Sequence, residues 1–158
     1  MNELRKKRND LALTQLQAAN ACGVSLRTYQ TYEETNNFNE TYKSLIKTLE
    51  EMGVFDGSNF IVSLRWIKSV CRQLFKERYP EIRCAFLYGS YARGEATGKS
   101  DIDILIVLDK PLGFRFYGIA TDLEEQLHKT VDLQSYEQLL DNVSMLKDVL
   151  VEGIKIYG

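Results

Sequence analysis

The sequence has one histidine, two prolines and three cysteines in 158 residues, and each shortage removes a class of chemistry. With His128 the sole imidazole, zinc sites and Ser-His or Cys-His nucleophile sets lack material. Cys22, Cys71 and Cys84 are odd in number, widely spaced and form no Cys-x-x-Cys pair. They read as reduced thiols in apolar settings of a cytoplasmic protein. No apolar run approaches the ~18 residues that span a bilayer. The N-terminus is charged and no signal-type apolar stretch follows it, so neither membrane association nor export is expected. Net charge is −2, so there is no global basic field, and any nucleic-acid role must rest on a local patch.

What is present is ordinary globular material, 44% hydrophobic and 27% charged, with apolar runs in both halves. A cluster without periodicity, Gly53 with Asp56-Gly57-Ser58-Asn59, divides the chain. The expected organisation is an all-α domain over 1–55, then an α/β domain over 60–158 in which a sheet is flanked by helices.

The most informative stretch is Phe86 to Leu108, FLYGSYARGEATGKSDIDILIVL. An apolar run, Ile82 to Tyr88, leads into Gly89-Ser90, and a second run, Ile102 to Leu108, follows Asp101 and contains Asp103. Both runs suit buried strands. Backbone N–H groups at the Gly-Ser turn, where Tyr91-Ala92-Arg93 can begin a helix, offer a phosphate site. Asp101 and Asp103, two apart, are expected on one face of a strand. Buried strands have no packing need for adjacent carboxylates, because unpaired buried charge is costly. A divalent metal and a nucleoside triphosphate account for both halves of the pattern. Further on, Thr130-Val131-Asp132-Leu133-Gln134 predicts a short strand with a carboxylate in its middle. If it lies beside the Asp103 strand, Asp132 completes a cluster of three.

Around these strands the spacing predicts an amphipathic helix from Phe60 to Tyr79 with a basic outer face, stopped by Pro80. Thr121 and Glu124 read as a capping box opening a short helix. Tyr136 to Glu152 reads as one helix with Leu139, Val143, Leu146 and Leu150 inward, and Ile154 to Tyr157 as an edge strand.

In the first domain, Leu4 to Leu11 is helical. Thr14 caps a helix to Ala21, with Leu16 and Ala19 inward, and Ser25 caps another to about Glu34, with Val24, Tyr29 and Tyr32 inward. Two short helices joined at Gly23, with small Ala19 before it, have helix-turn-helix spacing. Up to Tyr32 there are five basic residues, among them Arg5-Lys6-Lys7-Arg8, against two acidic ones, which favours phosphate contact. Asn39 to Met52 is a further helix.

Two resemblances follow from these residues. TQLQAANACGVSLRTYQTYEE resembles the helix-turn-helix of the phage-repressor (Cro/C1, or Xre-type) family over about residues 2–52, through Thr14, Gln15, Ala19, Gly23, Val24, Ser25 and Glu33. It implies that Gln15, Arg27, Thr28 and Gln30 lie nearest operator DNA, and that the chain acts as a dimer or hetero-oligomer. Tyr29 and Tyr32 stand where smaller aliphatics and tryptophan are usual, so a helical adaptor module without DNA binding is the alternative.

Gly89-Ser90, Asp101-Ile102-Asp103 and Val131-Asp132-Leu133 resemble the minimal nucleotidyltransferases of the DNA polymerase β-like superfamily, over roughly 60–158. The resemblance implies transfer of a nucleoside monophosphate, commonly AMP from ATP, to a hydroxyl. It implies that Asp101 and Asp103 hold two Mg²⁺ ions. Asp132 would bind the catalytic ion and favour deprotonation of the acceptor. Gly89, Ser90 and Arg93 would hold the triphosphate. The minimal family often pairs with HEPN-type ribonuclease toxins and acts as antitoxin by adenylylating a tyrosine. The short segment after Asp132 also leads to the expectation of an acceptor held by a partner. Transfer to an RNA 3′ end or a small molecule is a second enzymatic reading. A regulator that only senses nucleotide is a third, and it would have no use for Asp132.

Overall fold

The structure is a computed structural model describing residues 2–35, 37–55 and 59–158. The chain forms two compact units, residues 1–63 and 64–158.

Among the described residues, the first unit holds four helices, α1 (Glu3–Asp10), α2 (Gln15–Ala21), α3 (Leu26–Glu34) and α4 (Glu40–Met52), and an antiparallel pair of β1 (Gly53–Phe55) and β2 (Phe60–Val62). Each helix starts at a short polar side chain that accepts from an otherwise unpaired N–H. Asn2 caps α1, Thr14 and Gln17 make a reciprocal box on α2, Ser25 caps α3 and Asn39 caps α4. Gly23, at φ +68°, takes the left-handed conformation that ends α2 without a Cβ penalty. Leu4, Ala18, Ala19, Tyr29, Leu49 and Met52 fill the core. Leu16, expected inward, is 53% exposed, because Ala18 and Ala19 take the buried face of α2. Tyr32 and Val24 are only half-buried.

Phe60 to Val62 is a strand rather than helix, since an aromatic and two β-branched residues alternate in burial and pair with Gly53–Phe55. Of the expected domain junction, Asp56, Gly57 and Ser58 lie outside the described residues.

The second unit opens on α5 (Leu64–Arg78), then β3 (Ile82–Tyr88), α6 (Gly89–Arg93), β4 (Ile102–Leu108), α7 (Arg115–Leu127), β5 (Val131–Ser135), α8 (Tyr136–Leu139), α9 (Val143–Glu152) and β6 (Ile154–Tyr157). The strands form a mixed sheet in the order β5-β4-β3-β6, with β4 parallel to β5 and the other pairs antiparallel. A parallel pair needs a crossover, and α7 supplies it. It begins at Arg115, so Thr121 sits mid-helix and caps nothing, while Glu124 instead accepts from the Val131 N–H at 2.9 Å. The sole histidine, His128, ends α7 at φ +53°.

One sheet face carries Ala85, Leu87, Ile102, Ile104 and Ile106, all buried, as are Phe75 and Leu74 of α5 and Ile119 and Leu123 of α7. The other face carries Tyr88 and Leu105, packed with Leu139 of α8 and Val149 of α9, and with Phe86 and Met145 at the margin. The single helix expected over 136–152 is broken, because Asn142 accepts from the Met145 N–H and starts α9 afresh. That break rotates the helix, so Val143 and Leu150, expected inward, are 75% and 79% exposed.

Candidate active site

The loop at the end of β3 and the carboxylates of β4 and β5 meet at one end of the sheet. Tyr88 is in register with Asp103 across the antiparallel β3–β4 pair, and Asp103 is in register with Asp132 across the parallel β4–β5 pair. Registered residues point to the same face, so these three side chains share one side of the sheet. Asp101 lies just before β4 and is exposed.

Gly89 opens α6 at φ +70°, and a Cβ built there would stand 2.2 Å from Oδ2 of Asp103. The backbone of the loop and the carboxylate are therefore in direct apposition, a contact only glycine permits. No side chain caps α6, which leaves its leading N–H groups available to an anion. Ser90 is half-buried, and its carbonyl accepts from Glu95 N–H at 2.9 Å, which folds the loop back on itself.

Arg93 does not stand free for phosphate. Its Nε donates to Glu95 at 2.8 Å and its Nη1 to Glu152 at 2.9 Å, tying α6 to the end of α9. These bonds and charges push its pKa above the ordinary guanidinium value.

Burial, then repulsion from Asp132 and Asp101, pushes the Asp103 carboxyl up to about 6. Excess negative charge in one place is what a divalent cation neutralises. The hydroxyl of Tyr88 is buried with no hydrogen-bond partner, in a residue only 4% exposed. Burial, then the charges of Asp132 and Asp103, raises its pKa, so it remains a neutral donor. Among the described residues, no group of three or more His, Cys, Asp or Glu stands ready to hold a metal ion by itself. Magnesium is commonly bound by one or two carboxylates together with substrate phosphates. Asp103 and Asp132 opposite an uncapped loop fit that requirement.

Three participants escape a reading of sequence alone. Gln134 donates to Asp132 at 3.1 Å, and period-two spacing in β5 could have revealed it. Tyr88 needs the β3–β4 register to be known, and Glu152 meets Arg93 across 59 residues without a local signal.

The DNA-facing candidates belong to the first unit. Gln30 donates to Gln15 at 3.1 Å and Gln15 donates to Glu33 at 2.8 Å, so the two amides are held as a pair. Arg27 is exposed, and Thr28 bonds the Ser25 capping hydroxyl at 2.8 Å. The basic cluster is largely spent inside the unit. Arg8 and Arg5 pair with buried Glu33 at 2.6 and 3.5 Å, and Lys7 with Glu50 at 2.7 Å. Among the described residues, no helix is long and apolar enough to cross a membrane.

Two proteins of Methanocaldococcus jannaschii, each named "Putative protein adenylyltransferase", are similar to this chain. One is 38% identical over 71 residues, covering 42% of this chain and 71% of its own. The other is 36% identical over 77 residues, covering 45% and 76%. A solved toxin–antitoxin structure with AMP-PNP is 26% identical over 58% of this chain and 73% of its own, with a TM-score of 0.48. A Shewanella oneidensis tri-AMPylated HEPN toxin in complex with MNT antitoxin is 21% identical, over 60% and 72%, at a TM-score of 0.45. Residues 70–158 match the family described as polymerase beta, nucleotidyltransferase, a span that contains Gly89-Ser90, both carboxylate strands and the β6 edge. With more than half its length inside that match, the chain belongs to the polymerase β nucleotidyltransferase family and is a nucleotidyltransferase.

Proposed function

We propose that the second unit transfers AMP from ATP to a hydroxyl on a protein, most simply a tyrosine of a HEPN-type toxin, and so acts as an antitoxin. The observation that carries this is the register of Asp103 with Asp132, which sets two carboxylates side by side on one face. The adenylyltransferase names of the two archaeal relatives support a protein as acceptor.

Gly89 and Ser90 cradle the triphosphate with backbone N–H groups at the start of α6. Asp101, Asp103 and Asp132 are the residues that would hold Mg²⁺. The bound ions would supply charge neutralisation on the phosphates and on the departing pyrophosphate. Asp132, steadied by Gln134, takes the proton of the acceptor hydroxyl. The acceptor oxygen then forms a bond to the α-phosphorus as the bond to pyrophosphate breaks, and the electron pair leaves with pyrophosphate. Arg93 reaches phosphate only by giving up Glu95 or Glu152.

The test incubates the full chain with ATP, Mg²⁺ and a purified HEPN-type protein from the same genome. A mass gain of one AMP on the partner, lost in Asp103→Ala, is expected. An unchanged mass would overturn the reading.

The first unit, in this proposal, binds operator DNA through α2 and α3 and controls the amount of antitoxin made. The fixed Gln15–Gln30 pair and exposed Arg27 support it. Arg27→Ala should weaken operator binding and lower the salt slope by about one, while Gln30→Ala should relax sequence preference. Absence of any retarded complex at low salt would count against it.

A further inference from the structure

The α9 helix has two apolar faces, and the fold uses one. Met145 and Val149 pack onto Tyr88, Leu105 and Leu139 beneath the carboxylates. The opposite side presents Val143, Leu150 and Val151, each at least 75% exposed, with Leu140 and Tyr136 beside them at 52% and 40%. The apolar surface is on the order of 500 Å², large for a face that meets only water. It is about two thirds of what one partner contributes to a standard interface.

The position of this face ties it to the reaction. α8 begins where β5 ends, four residues after Asp132. α9 is joined to α6 by Glu152 and Arg93 at 2.9 Å. A macromolecule that presents a hydroxyl to Asp132 has α8 and α9 within reach. Lys147 stands within the face, one turn from Val143, Leu150 and Val151, and the exposed charges around it are acidic, Glu137, Asp141 and Asp148. A second copy of the chain meeting the face isologously would oppose these like charges.

We infer that the outer face of α8 and α9 docks the protein that carries the acceptor hydroxyl, through a complementary apolar ridge edged by Lys or Arg. The inference rests on the protein-acceptor reading above and adds the surface by which that acceptor is captured. Hydrophobic side chains at the centre supply most of the affinity, while the rim sets partner choice and encounter rate.

The experiment compares the full chain with the double variant Val143→Glu/Leu150→Glu, whose substitutions lie on exposed side chains and outside the catalytic group. AMP transfer to the HEPN-type protein is measured against its concentration, with fluorescent ATP binding as a parallel readout. The expected result is a KM for the protein acceptor raised at least about 30-fold, with ATP binding unchanged. Asp141→Lys should slow association by about tenfold at low salt and less at high salt. Transfer by the unaltered chain with an unchanged KM in the double variant would overturn the docking surface and leave the function standing. Failure of the unaltered chain to label the protein would overturn both. A dimer in light scattering that the double variant dissolves would reassign the face to a second copy. A shift in melting of the full chain with unchanged KM would reassign it to contacts within the chain.

Discussion

Gly89 and Asp103 are so close that any Cβ at residue 89 would overlap the carboxylate, at 2.2 Å from Oδ2. The backbone of the loop proposed to hold phosphate and a metal-ligand candidate thus come from different strands yet share one van der Waals surface. Gly89→Ala should displace the Asp103 side chain and strain a backbone held at φ +70°. The strain alone should cost about 1–2 kcal/mol. Thermal melting should show that loss, and nucleotide transfer should fall far more than stability does.

Asp103 is costly in the metal-free protein. Its carboxyl is pushed up to about 6 in the folded chain, from an ordinary value of 3.8. Between these values the folded chain holds more protons than the unfolded one, so its stability falls as pH rises and the deficit is complete above about 6. Asp103→Asn should therefore raise stability at pH 7.5 by about 1 kcal/mol, after discounting for solvent screening, and change it little near pH 4. Divalent-ion affinity of the unaltered chain should rise through pH 6, the opposite trend. Calorimetric melts at the two pH values, with and without Mg²⁺, check both signs.

The Tyr88 hydroxyl is buried without a partner, next to two carboxylates. Leaving a buried donor unpaired costs about 1–3 kcal/mol. Tyr88→Phe should thus melt no lower than the unaltered protein. A drop in metal or nucleotide affinity in the same variant would identify the missing partner as a bound group.

In the first unit, Glu33 is 2% exposed and gathers Arg8, Arg5 and Gln15. Burial resists its charge, but bonds from Arg8 and Gln15 and the charges of both arginines outweigh that, and its pKa lies below the ordinary value. A lowered carboxyl contributes stability above its unfolded pKa and loses it as pH falls through the folded one. Glu33→Ala should destabilise the unit by about 3 kcal/mol, because half-buried Arg8 loses its counter-charge and keeps only the Leu13 carbonyl. Loss of helical signal in far-ultraviolet circular dichroism measures it.

Much of the catalytic unit was legible because its strands are short apolar runs ended by glycine or aspartate. The spans read from sequence for β3 and β4 are the spans observed. The partnership of Asp103 with Asp132 is not legible in the sequence, since strand order is a long-range property that no local pattern encodes. The stripe Leu139, Val143, Leu146, Leu150 misled, because helical period does not say which of two apolar sides meets the core. The basic run Arg5 to Arg8 carries no local sign of the acidic side chains it pairs with. Its counter-charge, Glu33, lies 25 residues beyond Arg8, and Glu50 lies farther still.

The strand order has a kinetic consequence. β3, whose end bears the Gly89 loop, is flanked by β4 and by β6, and the parallel β4–β5 pair closes only through α7. Contacts so distant along the chain form late, after their loop entropy has been paid. A partly synthesised or partly folded chain therefore holds the loop and Asp103 before the Asp132 strand is in place. Competence should appear abruptly with the final sheet rather than grow with chain length.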